Sequence, residues 1–181
     1  VRMRLPFSKA RLSPALRVAL EPDEQLISVA DIDGGGQLAV TRLGLWHVPD
    51  GGTPVRTGWE VISKARWAAG ILEVTVADVV GELASAQVLV DRQPVRYAIS
   101  EPRRTTDQVH TRTRGGVVHA GHHTFTGGSG WIILRKVPGC NGLQPQVRFD
   151  AGTDPASAAV QTAVRELITR ALRALQPEDD L

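Results

Sequence analysis

A long series of short apolar runs, broken by turn residues about every 8–12 positions, constrains this chain more than any other feature. Leu26–Ile32 reads as a strand, Asp33-Gly34-Gly35-Gly36 as a turn, and Gln37–Thr41 as the returning strand. Leu43–Val48 follows, closed by Pro49-Asp50-Gly51-Gly52, and Trp59–Ile62 leads on toward Trp67. After a break at Ala69-Gly70, Ile71–Val76 alternates, with Ile71, Glu73 and Thr75 on one face. Leu72, Val74 and Val76 share the other, which is the mark of a half-buried strand. Val88–Val90, Val95–Ile99, Val117–Thr126, Trp131–Val137 and Val147–Phe149 continue the series. Glu101–Gly116 is polar and rich in Arg and Thr, and reads as a long loop or a short irregular helix.

The C-terminus differs in kind. Asp154 is a capping acid and Pro155 a first helical residue. Val160, Val164, Leu167, Ile168, Ala171, Leu172 and Leu175 then recur at helical spacing, predicting an amphipathic helix over about 155–175. An apolar stripe of this kind has to be buried, and the economical way is to lay it across a strongly bent sheet. Burying about six aliphatic side chains contributes roughly 10 kcal/mol before conformational entropy is subtracted. The expected fold is mainly β (α+β): a bent antiparallel sheet, or a pleckstrin-homology-like (PH-like) barrel, capped by a C-terminal amphipathic helix. The expected organisation is a basic arm over 1–20, the β domain with its helix over 21–176, and an acidic tail over 177–181.

The segments Glu21–Leu26, Asp33–Arg42, Leu45–Val48, Trp59–Ile62, Ala65–Trp67, Gly70–Val76 and Val147–Asp154 resemble those of an actinobacterial family of uncharacterised proteins with a PH-like domain. They span most of residues 21–175. The resemblance implies a helix-capped β-barrel and supplies no catalytic residues. Thr105–Thr126, rich in Gly, His and Thr, departs from it. A bacterial origin also fits the use of 18 Arg against 3 Lys, as expected of a GC-rich genome.

Charge narrows the partners. The net charge is only +2, so the broad basic surface of a nucleic-acid-binding domain is not expected. Positive charge gathers in two places, residues 1–20 and the stretch from Arg92 to Arg114. From these, Arg2, Arg4, Lys9, Arg11, Arg103, Arg104, Arg112 and Arg114 are the candidate contacts for an anion or a lipid headgroup. A single cysteine, Cys140, rules out an intrachain disulfide and suits a reducing compartment. No apolar run is long enough to span a bilayer and no signal peptide is visible. The expected location is cytoplasmic, with peripheral association at the inner face of the membrane as the alternative.

His110, His119, His122 and His123 lie within fourteen residues. On a strand, His119 and His123 share a face and His122 takes the other. His119, His123 and His110 are the candidate metal ligands, although zinc asks for three or four protein ligands. The plainer reading is solvent-facing or hydrogen-bonded histidines. Gly127-Gly128-Ser129-Gly130 precedes a strand and not a helix, so it reads as a hairpin loop and not a phosphate loop. No nucleophile motif surrounds Cys140 or any serine. No catalytic residue and no cofactor is assigned. The expected role is a non-catalytic interaction or adaptor module for a protein partner, engaged through a strand edge or barrel rim. The alternatives are weak binding to an anionic membrane through the basic segments, and a metal-dependent enzyme using the His segment.

Overall fold

The structure is a computed structural model that describes residues 12–175. Helix α1 (Pro14–Ala19) precedes a four-stranded antiparallel sheet in sequential order, β1 (Leu26–Asp31), β2 (Gln37–Thr41), β3 (Gly44–Val48) and β4 (Val55–Gly58). A 3₁₀ turn, Trp59–Val61, leads into a second sheet built from β5 (Ile62–Ala68), β6 (Ile71–Leu83), β7 (Ala86–Asp91) and β8 (Val95–Ala98). After α2 (Thr105–Gly115), the same sheet is extended by β9 (Val117–Phe125), β10 (Gly128–Lys136) and β11 (Leu143–Phe149), and α3 (Ala158–Ala174) follows. The strand order is β5-β6-β7-β11-β10-β9, with β8 also on β6. The β7–β11 pair is parallel and every other pair is antiparallel.

β6 is 13 residues long, and its two halves have different neighbours. Its first half lies between β5 and β8, and its second half pairs with β7. The β7 and β8 strands follow one side of β6, interrupted at Arg92–Pro94, where proline has no N–H to give the ladder. The end of β8 is tied back to the β1–β2 turn. Asp33 N–H donates to the Ala98 carbonyl at 2.8 Å, and Ser100 Oγ–H donates to the Asp33 carboxylate at 2.8 Å. That turn requires φ of +90°, +124° and +89° at Gly34, Gly35 and Gly36, which residues with a Cβ rarely adopt.

The sheet curls, and the C-terminal helix caps it as the sequence predicts. Two helices share the covering, over two hydrophobic cores. α2 covers the first core, where Val109 joins Leu38, Val40, Leu45, Trp59, Ile62, Leu72, Val74 and Ile99. Thr105, Thr106 and Thr113 complete its buried face, so its apolar stripe is too weak to announce a helix. α3 covers the second core, placing Val160, Val164 and Ile168 against Leu83, Val88, Ile132 and Val147. Burying those three side chains contributes about 1.5–3 kcal/mol each before entropy is subtracted. α3 begins at Ala158, after Ser157, and not at Pro155. Asp154 Oδ1 accepts the Ala156 N–H at 2.9 Å, so the capping acid closes a local turn first.

Residues 12–20 of the basic arm dock on the outside of the first sheet. Leu16 of α1 is buried against Val29, Ala39, Trp46 and Val48. With both faces covered, β2 and β3 are buried almost throughout, which explains their unbroken apolar runs. A polar network anchors this sheet. The buried Glu24 carboxylate accepts from Thr41 Oγ1–H at 2.5 Å, Trp46 Nε1–H at 2.9 Å and Arg56 Nη1–H at 3.1 Å. Burial raises the Glu24 pKa, but these three donors outweigh it and hold the carboxyl below its ordinary value of 4.5.

A depressed folded pKa contributes stability that is complete above the ordinary value and lost as pH falls toward the folded one. Denaturant midpoints should therefore fall with pH below about 4.5. Glu24→Gln should cost about 3 kcal/mol at neutral pH and flatten that acid limb, as measured by urea unfolding across a pH series.

Candidate functional site

A group of cations outside the ion pairs borders a cleft between the C-terminal end of α2, the 3₁₀ turn and the β10–β11 connection. Its volume is about 640 Å³. Arg42, from the β2–β3 turn, stands on one side of it. Arg112 and Gly115 come from α2, Arg135 and Lys136 from the end of β10, and Cys140 and Asn141 from the connecting loop. Four cations thus face one carboxylate, that of Glu60.

Arg135 sets the frame. It is 4 % exposed, and its guanidinium donates from Nη1 to the carbonyls of Trp59 and Thr113, both at 3.2 Å, and from Nη2 to the Ile62 carbonyl at 3.4 Å. One side chain of β10 thereby holds the 3₁₀ turn, the start of β5 and the last turn of α2. Its Nε–H has no partner, and no carboxylate pairs with it among the described residues. Burial pushes its pKa down, and the Arg148 charge adds to that, while Glu60 opposes it. The group stays a cation, because arginine is effectively always protonated in proteins.

The other cations of the cleft are equally uncompensated. Arg42, Arg112 and Lys136 have no carboxylate partner among the described residues, whereas Arg56, Arg92, Arg96 and Arg148 are all paired. The C-terminal end of α2 contributes negative potential, which works against an anion there. Two of its last carbonyls are already engaged, since Thr113 accepts from Arg135 and Gly116 accepts from Lys136 N–H at 2.8 Å. Arg112 and Arg114 in its last turn offset the remainder.

Of the predicted anion contacts, Arg112 alone among the described residues lines this cleft. Arg103 lies at the opposite end of α2, at φ +51°, paired with Glu101 at 3.6 Å. Arg104 precedes the first turn of α2, and Arg114 is exposed in its last turn away from the lining. Arg2, Arg4, Lys9 and Arg11 lie outside the described residues. Arg42, Arg135 and Lys136 were not legible as site residues. Arg42 is more than ninety positions from the Arg135-Lys136 pair, and only the fold brings them together with Arg112.

The predicted histidines fall on two elements, His110 on α2 and His119 and His123 on β9. Among the described residues no three His, Cys, Asp or Glu side chains are placed to share a metal ion, so His110, His119 and His123 do not form one site. His110 is exposed on α2, and Cys140 is exposed at the cleft. His119 and His123 do share a face of β9, as the alternation predicts. On the other face, His122 Nε2 lies 2.7 Å from Asp150 Oδ2, which also accepts from Ser129 Oγ–H at 2.5 Å. The acid stands between the hydroxyl and the imidazole, so the imidazole is not placed to take the serine proton as in a Ser-His-Asp relay. Those two hydrogen bonds hold Asp150 below its ordinary value.

No protein-family model, curated protein or solved structure matches the chain. No helix among the described residues is long and apolar enough to cross a membrane.

Arg135→Met keeps the side-chain volume but strips three carbonyls of their donor. It should destabilise the fold by about 3 kcal/mol and loosen α2 first, seen as faster amide exchange over Val109–Gly115 by mass spectrometry.

Proposed function

We propose that this chain is a non-catalytic binding module whose basic cleft captures an anionic segment of a protein partner. The observation that carries the reading is the set of cations Arg42, Arg112 and Lys136, unpaired around one cleft beside the buried Arg135. Fixed positive charge at a concave, partly apolar site is a means of binding. Guanidinium groups suit phosphate and carboxylate oxygens, which they can meet two at a time. The geometry favours a protruding group over a flat membrane, which calls for positive charge spread across a face.

The PH-like reading gains support from the order of the elements. A four-stranded sheet is followed by the β5–β6–β8 group and then by a helix over the same core. The PH-like framework so drawn has α2 as its cap, where the sequence pointed to the C-terminal helix, and β9–β11 with α3 form an addition to it. A cytoplasmic location remains part of this proposal, since an adaptor of this kind meets phosphorylated or acidic segments there.

Calorimetric titration with a phosphoserine peptide tests the reading. Saturable binding is expected, weakened by salt and reduced at least tenfold by the Arg112→Ala, Lys136→Ala double substitution. Arg103→Ala should leave it unchanged. Absence of binding at low salt would overturn the proposal. So would retention of anionic vesicles by the double variant, because the anion contact would then lie elsewhere on the chain.

A further inference from the structure

We propose that β9 carries half of a transition-metal site. The same strand of a second copy completes it, so that a borderline divalent ion such as zinc joins two chains through four histidines. This site is separate from the basic cleft.

The strand ends its sheet. Among the described residues β9 pairs with β10 alone, and its other edge has no strand partner. Which residues present their peptide groups at that edge follows from the ladder. The Ser129 carbonyl accepts the Asp150 N–H, so odd-numbered residues of β10 direct their backbone groups toward β11 and even-numbered ones toward β9. The β9 residues opposite the even ones are His119, Gly121 and His123, paired with Leu134, Ile132 and Gly130. Their backbone bonds are spent on β10. Ala120, His122 and Thr124 therefore present theirs outward.

The exposed edge is close to a palindrome. On one face the order is His119, Gly121, His123, symmetric about the glycine; the register with β10 shifts before His119, so Val117 does not continue that row. A two-fold axis at Gly121 sets Ala120 opposite His122 of the second copy as a hydrogen-bonded pair, using the outward peptide groups. Gly121 then faces its own counterpart, and His119 faces His123 of the second copy. Both of these are non-hydrogen-bonded pairs, the kind in which side chains stand closest.

Gly121 makes room for the ion. A Cβ there would meet His123 Nε2 at 2.8 Å and His119 Nε2 at 3.5 Å, so both imidazoles already lean over the glycine. They lie on the face that α3 covers, beside Ile132 and Phe125 of the second core, and are half-buried at its margin. One chain supplies two nitrogens aimed at one space and no third ligand among the described residues. The two-fold supplies four, which is the number a tetrahedral zinc site takes. Imidazole nitrogen also suits nickel and copper.

The contact area argues that the ion is required. Two nine-residue edges meeting alone fall short of the roughly 1,200–2,000 Å² that stable specific interfaces bury. Trp131, 44 % exposed on the opposite face beside His122, adds only a little apolar contact.

Sedimentation of the untagged protein with and without zinc tests the proposal. Monomer is expected in chelator, with dimer appearing at one zinc per two chains. His119→Ala and His123→Ala should each abolish the shift, and Gly121→Val, which fills the space under the imidazoles, should weaken it at least tenfold. Ala120→Pro keeps all four ligands and the β10 ladder but removes an outward N–H, and should also weaken dimerisation at least tenfold. Zinc bound one per chain with no change in mass would overturn the proposal, as would a zinc-induced dimer that survives the double histidine substitution.

Discussion

The Arg135 guanidinium is the joint of this molecule. It projects from a strand of the second core and donates to carbonyls at the boundary of the first: Trp59 in the 3₁₀ turn, Ile62 at the start of β5, and Thr113 near the end of α2. These are the groups left over where regular ladders stop, and buried carbonyls without donors are costly. Gln146 extends the joint, donating to the Glu60 carbonyl at 3.0 Å and to Gln87 Oε1 at 3.3 Å. The two hydrophobic cores are thus fastened by a polar seam. A cation held in that seam without a carboxylate keeps positive charge at the wall of the cleft.

The fold was readable where side chains alternate or recur with one period. Leu72 and Val74 on β6, and Val160, Val164 and Ile168 on α3, state their burial directly, with Val76 half-buried against the same core as Leu72 and Val74. It was unreadable where burial is polar or local rules compete. α2 buries three threonines and one valine, so its inner face has no apolar stripe. Trp59–Val61 looks like a strand by composition but turns as a 3₁₀ segment, its backbone served by Arg135 and Gln146 from distant strands. The parallel pairing of β7 with β11 leaves no local signature, because it joins residues about sixty positions apart.

The candidate site was legible in one residue of four. Arg112 stands in a visibly basic stretch, while Arg42 and the adjacent Arg135 and Lys136 occur among apolar or turn residues. The histidine segment shows the opposite case. Its alternation correctly places His119 and His123 on one face, but His110 belongs to another element. Spacing along a strand is informative; nearness in sequence across a helix–strand boundary is not.

The parallel β7–β11 pair also bears on synthesis. β7 is complete by Asp91, but the strand that pairs along its free side begins at Leu143. As the chain leaves the ribosome, residues up to Gly115 can form the first core with α2 in place. The second half of β6 and all of β7 must wait, their apolar face bare until the C-terminal hairpin and α3 arrive. A nascent chain in that condition offers an open strand edge to its neighbours on the same message. Vectorial folding therefore makes the interval between Asp91 and the end of α3 the period in which this protein is most exposed to misassembly.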